Sequence, residues 1–219
     1  GNELNQNVIL EICLKTIFIN PDKRYILKFQ NLNIIPFNTD ITEDEYGIID
    51  MVNKKIIKPF NYKEKKIVSF ALYGNLPIYC EGAMKNLKQY TDEYKDISCY
   101  FYVRNDVKRE TIDKIKDAGG HVIECINNEN WYGMFTRFLP CENEIELYFS
   151  RDCDCRLINR EKKAIEQWLN TDKKFHIIRD HPWHNTLILG GMWGLKNMSL
   201  NNLRFQIMDW CLDYIKLDE

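Results

Sequence analysis

Between residues 67 and 149 the chain alternates short, mostly apolar runs with longer amphipathic stretches. The apolar runs are IVSFAL (67–72), SCYFYV (98–103), HVIECI (121–126) and IELYF (145–149). Each is bounded by turn or charged residues, the pattern of strands buried on both faces. The intervening stretches read as helices. Pro77 opens one that runs near 78–90, because proline is tolerated in a first helical turn. Residues 108–118 carry apolar Ile112 and Ile115 and stop at Gly119-Gly120. Residues 131–139 place Met134, Phe135 and Phe138 on one face. The order β-α-β-α-β-α-β predicts an α/β fold, a mostly parallel, Rossmann-like sheet with helices on both faces.

The flanks read differently. Residues 8–19, 25–29, 32–37 and 48–57 give short strands separated by turn chemistry. Residues 1–62 are therefore expected to form a small β-rich appendage before a domain at 63–219. After the fourth apolar run, 160–169 (REKKAIEQWL) is an amphipathic helix and 175–178 (FHII) a strand. A Pro-bearing turn follows at 179–184, then a glycine-rich loop at 190–194. A last helix is expected at 203–215, core-facing through Phe205, Met208, Trp210 and Leu212.

Composition narrows the function class. Net charge is −2 with both signs interspersed, so no basic field points to nucleic acid. No apolar run reaches the ~18 residues of a membrane span. The eight cysteines are irregularly spaced and mostly sit inside apolar segments, where a reduced thiol packs as a small hydrophobe. The expectation is a reduced protein in the cytoplasm, host cytoplasm if the source is viral.

Ligands of parallel α/β sheets bind beyond the carboxyl ends of the strands. Tyr73-Gly74 and Asp152-Cys153-Asp154 both lie at such ends, so both are expected to face one crevice. Two aspartates one residue apart suit a Mg²⁺ or Mn²⁺ ion bridging to a diphosphate, because hard cations prefer oxygen ligands. Three other readings stand beside this one. An apolar strand followed by D-x-D also opens phosphatases in which the first Asp is the nucleophile. Cys153, Cys155, His181 and His184 have spacings that permit a zinc site. The pair also suits capping of the 160–169 helix, or pairing with Arg151 or Arg156.

The turn RDHPWH (179–184) gathers a cation, a carboxylate, two imidazoles and an indole. Arg179 suits a phosphate, and Trp183 suits stacking on a sugar face. The plainer reading is an Arg179–Asp180 surface pair with Trp183 in the core. His176, within its strand, reads as a packed or surface histidine. Gly190-Gly191 allows close backbone approach, and Met192-Trp193 suits a pocket wall.

Six segments together carry a resemblance: SFALYG (69–74), Tyr79 with Gly82-Ala83, GMFTRFLP (133–140), SRDCDCRL (150–157), REKKAIEQWL (160–169) and FHIIRDHPWH…ILGGMWG (175–194). They resemble nucleotide-sugar glycosyltransferases with the GT-A fold, of a bacterial and giant-virus type. The resemblance spans roughly residues 66–210 and leaves 1–62 uncovered. It implies a nucleotide-diphosphate sugar donor, commonly uridine-linked, a Mn²⁺ or Mg²⁺ ion, and transfer of a hexose to a glycan or protein acceptor. By position Asp152 and Asp154 match the D-x-D that holds metal and donor. Ala71, Leu72, Tyr73 and Gly74 match the strand edge that cradles the nucleotide. Arg137 matches an arginine that orients a carboxylate or touches the donor. Gly191 and Trp193 fall in the segment lining the sugar and acceptor side. Arg179 or Arg137 would assist departure of the diphosphate. Asp180, His181 and His184 would lie near the anomeric carbon, one of them as general base if the reaction inverts.

The sequence departs from that pattern in two ways. Cysteines flank the D-x-D where Ser or Thr is expected. The family's C-terminal segment, with an Asp-Gln element and a late His that completes the metal shell, has no counterpart before Glu219. The expectation is a domain cut short, or one that recruits His181 or His184. The alternatives are a non-catalytic nucleotide-sugar-binding or scaffolding module, and a phosphatase or nucleotidyltransferase using the same carboxylates.

Overall fold

The computed structural model describes residues 48–50, 55–58, 62–126, 130–182, 184, 186–201, 203 and 206–207. The strands expected over 8–19, 25–29 and 32–37, most of the helix expected at 203–215, and Trp183 lie outside the described residues.

The elements are β1 (Ile48–Asp50), β2 (Lys55–Lys58), β3 (Lys66–Leu72), α1 (Pro77–Glu93), β4 (Ser98–Arg104), α2 (Arg109–Asp117), β5 (His121–Ile126), a 3₁₀ helix (Asn130–Glu142), β6 (Ile145–Asp152), α3 (Asn159–Leu169), β7 (Phe175–Ile177) and β8 (Met192–Met198). They build one eight-stranded sheet in the order β2-β1-β5-β4-β3-β6-β8-β7. Strands β1, β5, β4, β3 and β6 run parallel. β2, β8 and β7 each pair antiparallel with their neighbours. The fold is therefore the mostly parallel α/β sheet that the alternation of runs predicts. Residues 48–50 and 55–58 add two strands to its edge beside β5.

Both faces of the sheet are covered, which is why its central strands carry no polar stripe. On one face Phe70, Phe101, Val122 and Phe149 meet Ala83, Leu87 and Tyr90 of α1, Ile112 and Ile115 of α2, and Ile165 and Trp168 of α3. On the other, Tyr100, Tyr102, Ile123 and Tyr148 meet Phe135, Phe138, Leu139 and Cys141 of the 3₁₀ helix. Each fully buried Val, Leu, Ile or Phe among them contributes about 1.5–3 kcal/mol.

Two elements differ from expectation. β6 does not end at Phe149 but continues through Ser150 and Arg151 to Asp152. Its polar end is buried because it finds tertiary partners. The Arg151 guanidinium donates to Glu161 of α3 at 2.5 Å and to the carbonyls of Ser150 and Trp193 at 2.7 and 2.9 Å.

The glycine-rich loop is the start of a strand, β8, inserted between β6 and β7. Trp193 therefore does not wall a pocket. It is 1% exposed and stacks on Phe175 with ring centroids 5.3 Å apart. Lys196, later in β8, is also buried. Its ammonium donates to the carbonyls of Trp168, Leu169 and Thr171 at the end of α3, a cation placed where the helix dipole favours one.

Candidate functional site

The carboxyl ends of β3 and β6 are neighbours, with Ala71 opposite Asp152 in the ladder. Beyond β3 the chain turns through Gly74, whose φ of +69° is a left-handed conformation that glycine adopts at little cost. The turn is knitted to the loop after β4. Gly74 N donates to Asp106 Oδ1 at 3.0 Å, Asn75 Nδ2 to the Asp106 carbonyl at 2.7 Å, and Lys108 N to Asn75 Oδ1 at 2.8 Å. Arg104 pairs with Asp106 and holds its carboxyl below the usual range.

The Arg104 guanidinium also lies 5.3 Å from the centre of the Tyr73 ring, which faces Tyr79 at 6.3 Å. Burial raises the Tyr73 phenol pKa, with Tyr79, Asp152 and Asp154 adding to the rise and Arg137 opposing it. Tyr73 and the carboxylate pair thus share one electrostatic neighbourhood. The side chain of Leu72 is buried in the core, and the Ala71 carbonyl accepts the Cys153 thiol at 3.5 Å. Tyr73 and Gly74 are the half-exposed part of this edge.

Beyond β6 the D-x-D turn is held from below by α1. Asn86 Nδ2 reaches the carbonyls of Asp152 and Cys153 at 3.3 and 3.2 Å. A Cβ on Gly82 would sit 2.1 Å from the Cys153 carbonyl oxygen, so this close approach requires glycine. Arg156 donates to the carbonyls of Cys153 and Cys155 at 2.7 and 2.6 Å.

Asp152 itself is fixed on two sides. Its Oδ1 accepts from Arg137 at 2.5 Å, and a Cβ on Gly191 would meet its Oδ2 at 2.0 Å. Arg137 is 4% exposed by side chain while Asp152 is 40% exposed, so a buried cation aims a half-open carboxylate. Ser150 Oγ donates to the Gly190 carbonyl at 2.5 Å and pins the other strand of the cradle.

This geometry corrects the capping reading. The cap position of α3 is Ile158, without a side-chain bond, and Arg151 is committed to Glu161. It also separates the proposed zinc ligands. Cys153 is buried beneath the turn, whereas Cys155 is exposed above it. Among the described residues, Asp152, Asp154 and Cys155 form the group of three metal-ligating side chains, with ligand atoms within 4.8 Å of one another. Although the residue is exposed, partial desolvation of its sulfur, reinforced by Asp152 and Asp154, pushes the Cys155 thiol up to about 12. Two carboxylates and a thiol, beside a backbone cleared by Gly191, fit a divalent cation.

The 179–184 turn leaves from the same end of the sheet. β7 and β6 both run antiparallel to β8, and Ile177, Trp193 and Ser150 stand level across the three strands. Asp180 Oδ2 accepts from Arg160 of α3 at 2.6 Å, so its ion-pair partner is Arg160. His184 Nδ1 lies 3.3 Å from Asp180 Oδ1, outside hydrogen-bond alignment. The rings of His181 and His184 are 5.5 Å apart, and Arg179 is exposed. His176 is the packed histidine its strand position suggests. It stacks on Trp168 at 5.0 Å, and burial, aided by Arg151, lowers its pKa to about 4.

Sequence reasoning passed over Asn86 and Asp106, and it named Arg156 only as a pairing partner of the aspartates and Arg160 only as the start of its helix. Each is an ordinary polar residue in its own segment and gains a role only from contacts far along the chain.

No protein-family model matches the sequence, and no curated protein matches it. Among solved structures the chain is similar to the apo-form glycosyltransferase GlyE of Streptococcus pneumoniae TIGR4, at 17% identity and a TM-score of 0.43, covering 71% of this chain and 39% of that one. It is similar to the mannosyltransferase PcManGT of Pyrobaculum calidifontis, solved with GDP-Man and Mn²⁺, at 12% identity and a TM-score of 0.43, covering 87% and 52%. It is also similar to 4-diphosphocytidyl-2C-methyl-D-erythritol synthase of Anaerococcus prevotii, at 13% identity and a TM-score of 0.36, covering 69% and 76%. The chain spans 39% and 52% of the lengths of the first two.

Proposed function

We propose that this chain binds a nucleotide-diphosphate sugar, UDP-linked, together with Mn²⁺ or Mg²⁺, and moves its hexose to a glycan or protein acceptor. The observation that carries this reading is the Asp152 carboxylate, held by Arg137 and faced by Gly191, with Asp154 beside it and Tyr73-Gly74 across the β3–β6 edge. The six-segment sequence resemblance points to the same chemistry.

When bound, the cation would neutralise the diphosphate and make it a better leaving group. Asp152 and Asp154 would hold it. Tyr73 and the Gly74 backbone would take the nucleotide, and Gly191, whose missing side chain admits the Asp152 carboxylate, would lie on the sugar side. Arg137 acts through Asp152 and is a positioning residue. Arg179, exposed on the turn after β7, would meet the phosphates. Asp180, anchored by Arg160, and His184 beside it would stand with His181 near the anomeric carbon. If the reaction inverts, one of these three takes the acceptor proton.

Calorimetry with Mn²⁺ and a panel of nucleotide sugars tests the reading. Saturable binding of a uridine or guanosine diphosphate sugar, lost in Asp154→Ala, is the expected result. No binding by any of them would sink it. Phosphate release from a generic phosphomonoester without nucleotide-sugar binding would assign the carboxylates to phosphatase chemistry instead. Donor binding without transfer or hydrolysis would mark a binding module.

A further inference from the structure

Cys155 stands one residue past the carboxylate pair. Packing does not account for a sulfur there. The other described cysteines are buried or half-buried, and Cys155 is the exposed one among them. Cys153, its neighbour across Asp154, turns inward and donates to the Ala71 carbonyl. Cys155 instead sits with Asp152 and Asp154, the three ligand atoms within 4.8 Å of one another. That is the span of donors around one ion with bonds of roughly 2.0–2.4 Å.

The turn geometry makes this placement durable. Cys155 N donates to the Asp152 carbonyl at 3.3 Å, closing the turn. Arg156 bridges the carbonyls on either side of Asp154. Asn86 and the close approach of Gly82 fix the same backbone from α1. Arg137 occupies Oδ1 of Asp152. One oxygen of each aspartate and the Cys155 sulfur are the three donors brought together.

We propose that Cys155 is the third protein ligand of the cation held by Asp152 and Asp154, and that its sulfur shifts the site's preference from Mg²⁺ toward softer divalent ions such as Zn²⁺ and Cd²⁺. This rests on the metal reading of the carboxylates given above. Thiolate ligands select softer ions, whereas carboxylate and water suit Mg²⁺. As the sulfur–metal bond forms, the thiol proton passes to solvent, leaving three anionic donors around a dication. Such a site needs no histidine from the 179–184 turn to complete its protein ligands.

The test is a Cd²⁺ titration of the full chain without nucleotide, followed by the ultraviolet thiolate-to-cadmium charge-transfer band, with a parallel Mg²⁺ titration by calorimetry. Wild type is expected to develop the band to saturation at one equivalent. Cys155→Ser, an exposed and near-isosteric change, should lose the band. It should also lose at least about tenfold in Cd²⁺ affinity, the low end of what even outer-shell changes cost, with a smaller change for Mg²⁺, so that the preference for Cd²⁺ over Mg²⁺ falls. A band that survives in Cys155→Ser, or equal Cd²⁺ affinity in the two proteins, overturns the assignment. If Asp154→Ala abolishes cation binding and Cys155→Ser does not, only the thiolate ligand is refuted. If neither change alters it, the metal reading of the carboxylates falls as well.

Discussion

A methyl group on Gly191 would lie 2.0 Å from Oδ2 of Asp152. Gly191 stands just before β8, whose first residue Met192 pairs with Arg151, so the strand register itself brings this backbone against the carboxylate. The account predicts that Gly191→Ala displaces Asp152 from Arg137. Overpacking of this kind costs about 1–3 kcal/mol, measurable by urea denaturation. Mn²⁺ affinity should fall by more than that stability loss alone explains, because the folded fraction is still misaligned. Unchanged Mn²⁺ binding in a folded Gly191→Ala protein would show that Asp152 is free to move.

Arg137→Met removes the charge while keeping much of the volume. Asp152 is half-open to solvent and survives the loss, so the protein should fold. Metal binding should weaken by about 10–100-fold, the range for partners that orient a ligand from behind. Metal titration of the purified variant reads this out, and Arg137→Lys should recover only part of it, since the planar guanidinium is pre-organised to reach Asp152 and the Arg151 carbonyl from Nη1 and a flexible ammonium is not.

The Arg151–Glu161 pair lies on the opposite face of β6 and is almost wholly buried. Glu161→Ala leaves a buried guanidinium without its counter-charge, at a cost of about 3–5 kcal/mol. The double variant Arg151→Met/Glu161→Leu should regain most of that loss, because two well-packed apolar side chains replace the pair. Denaturation midpoints of the three proteins decide it, and a double variant no better than Glu161→Ala would mean that the Arg151 carbonyl contacts hold the strand end in place.

Acid should destabilise the fold through His176. Its pKa falls from 6.5 in the unfolded chain to about 4 when stacked on Trp168 beside Arg151. Between those values the unfolded state binds the extra proton, so stability drops as pH falls from 6.5 toward 4. His176→Gln should flatten that part of a stability–pH profile. An identical acid limb in the variant would assign the loss to other groups.

The parallel strands were readable because β3, β4, β5 and most of β6 are buried on both faces, and burial leaves unbroken apolar runs. β8 was not readable. Its Gly194 is there because a Cβ would meet the Tyr148 carbonyl at 2.6 Å, and its Lys196 is buried only because α3 ends where the ammonium can reach three carbonyls. Neither reason is local. The carboxylate pair was visible as a strand-end motif, and Arg137 through the resemblance. The contact of Gly191 with Asp152 depended on the β6–β8 register, and the anchoring of Asp180 on how α3 returns beside β7. Trp193 looked like a pocket wall because a tryptophan after two glycines suggests an open loop. The strand turns it into the core.

The most direct test of the central claim is a crystal of the full chain soaked with UDP and Mn²⁺, with the ion located by anomalous scattering. The account predicts an anomalous peak bridging the diphosphate to Asp152 and Asp154, with the nucleotide along Tyr73 and Gly74. A nucleotide bound elsewhere, or a bound diphosphate with no ion at the carboxylates, would contradict it.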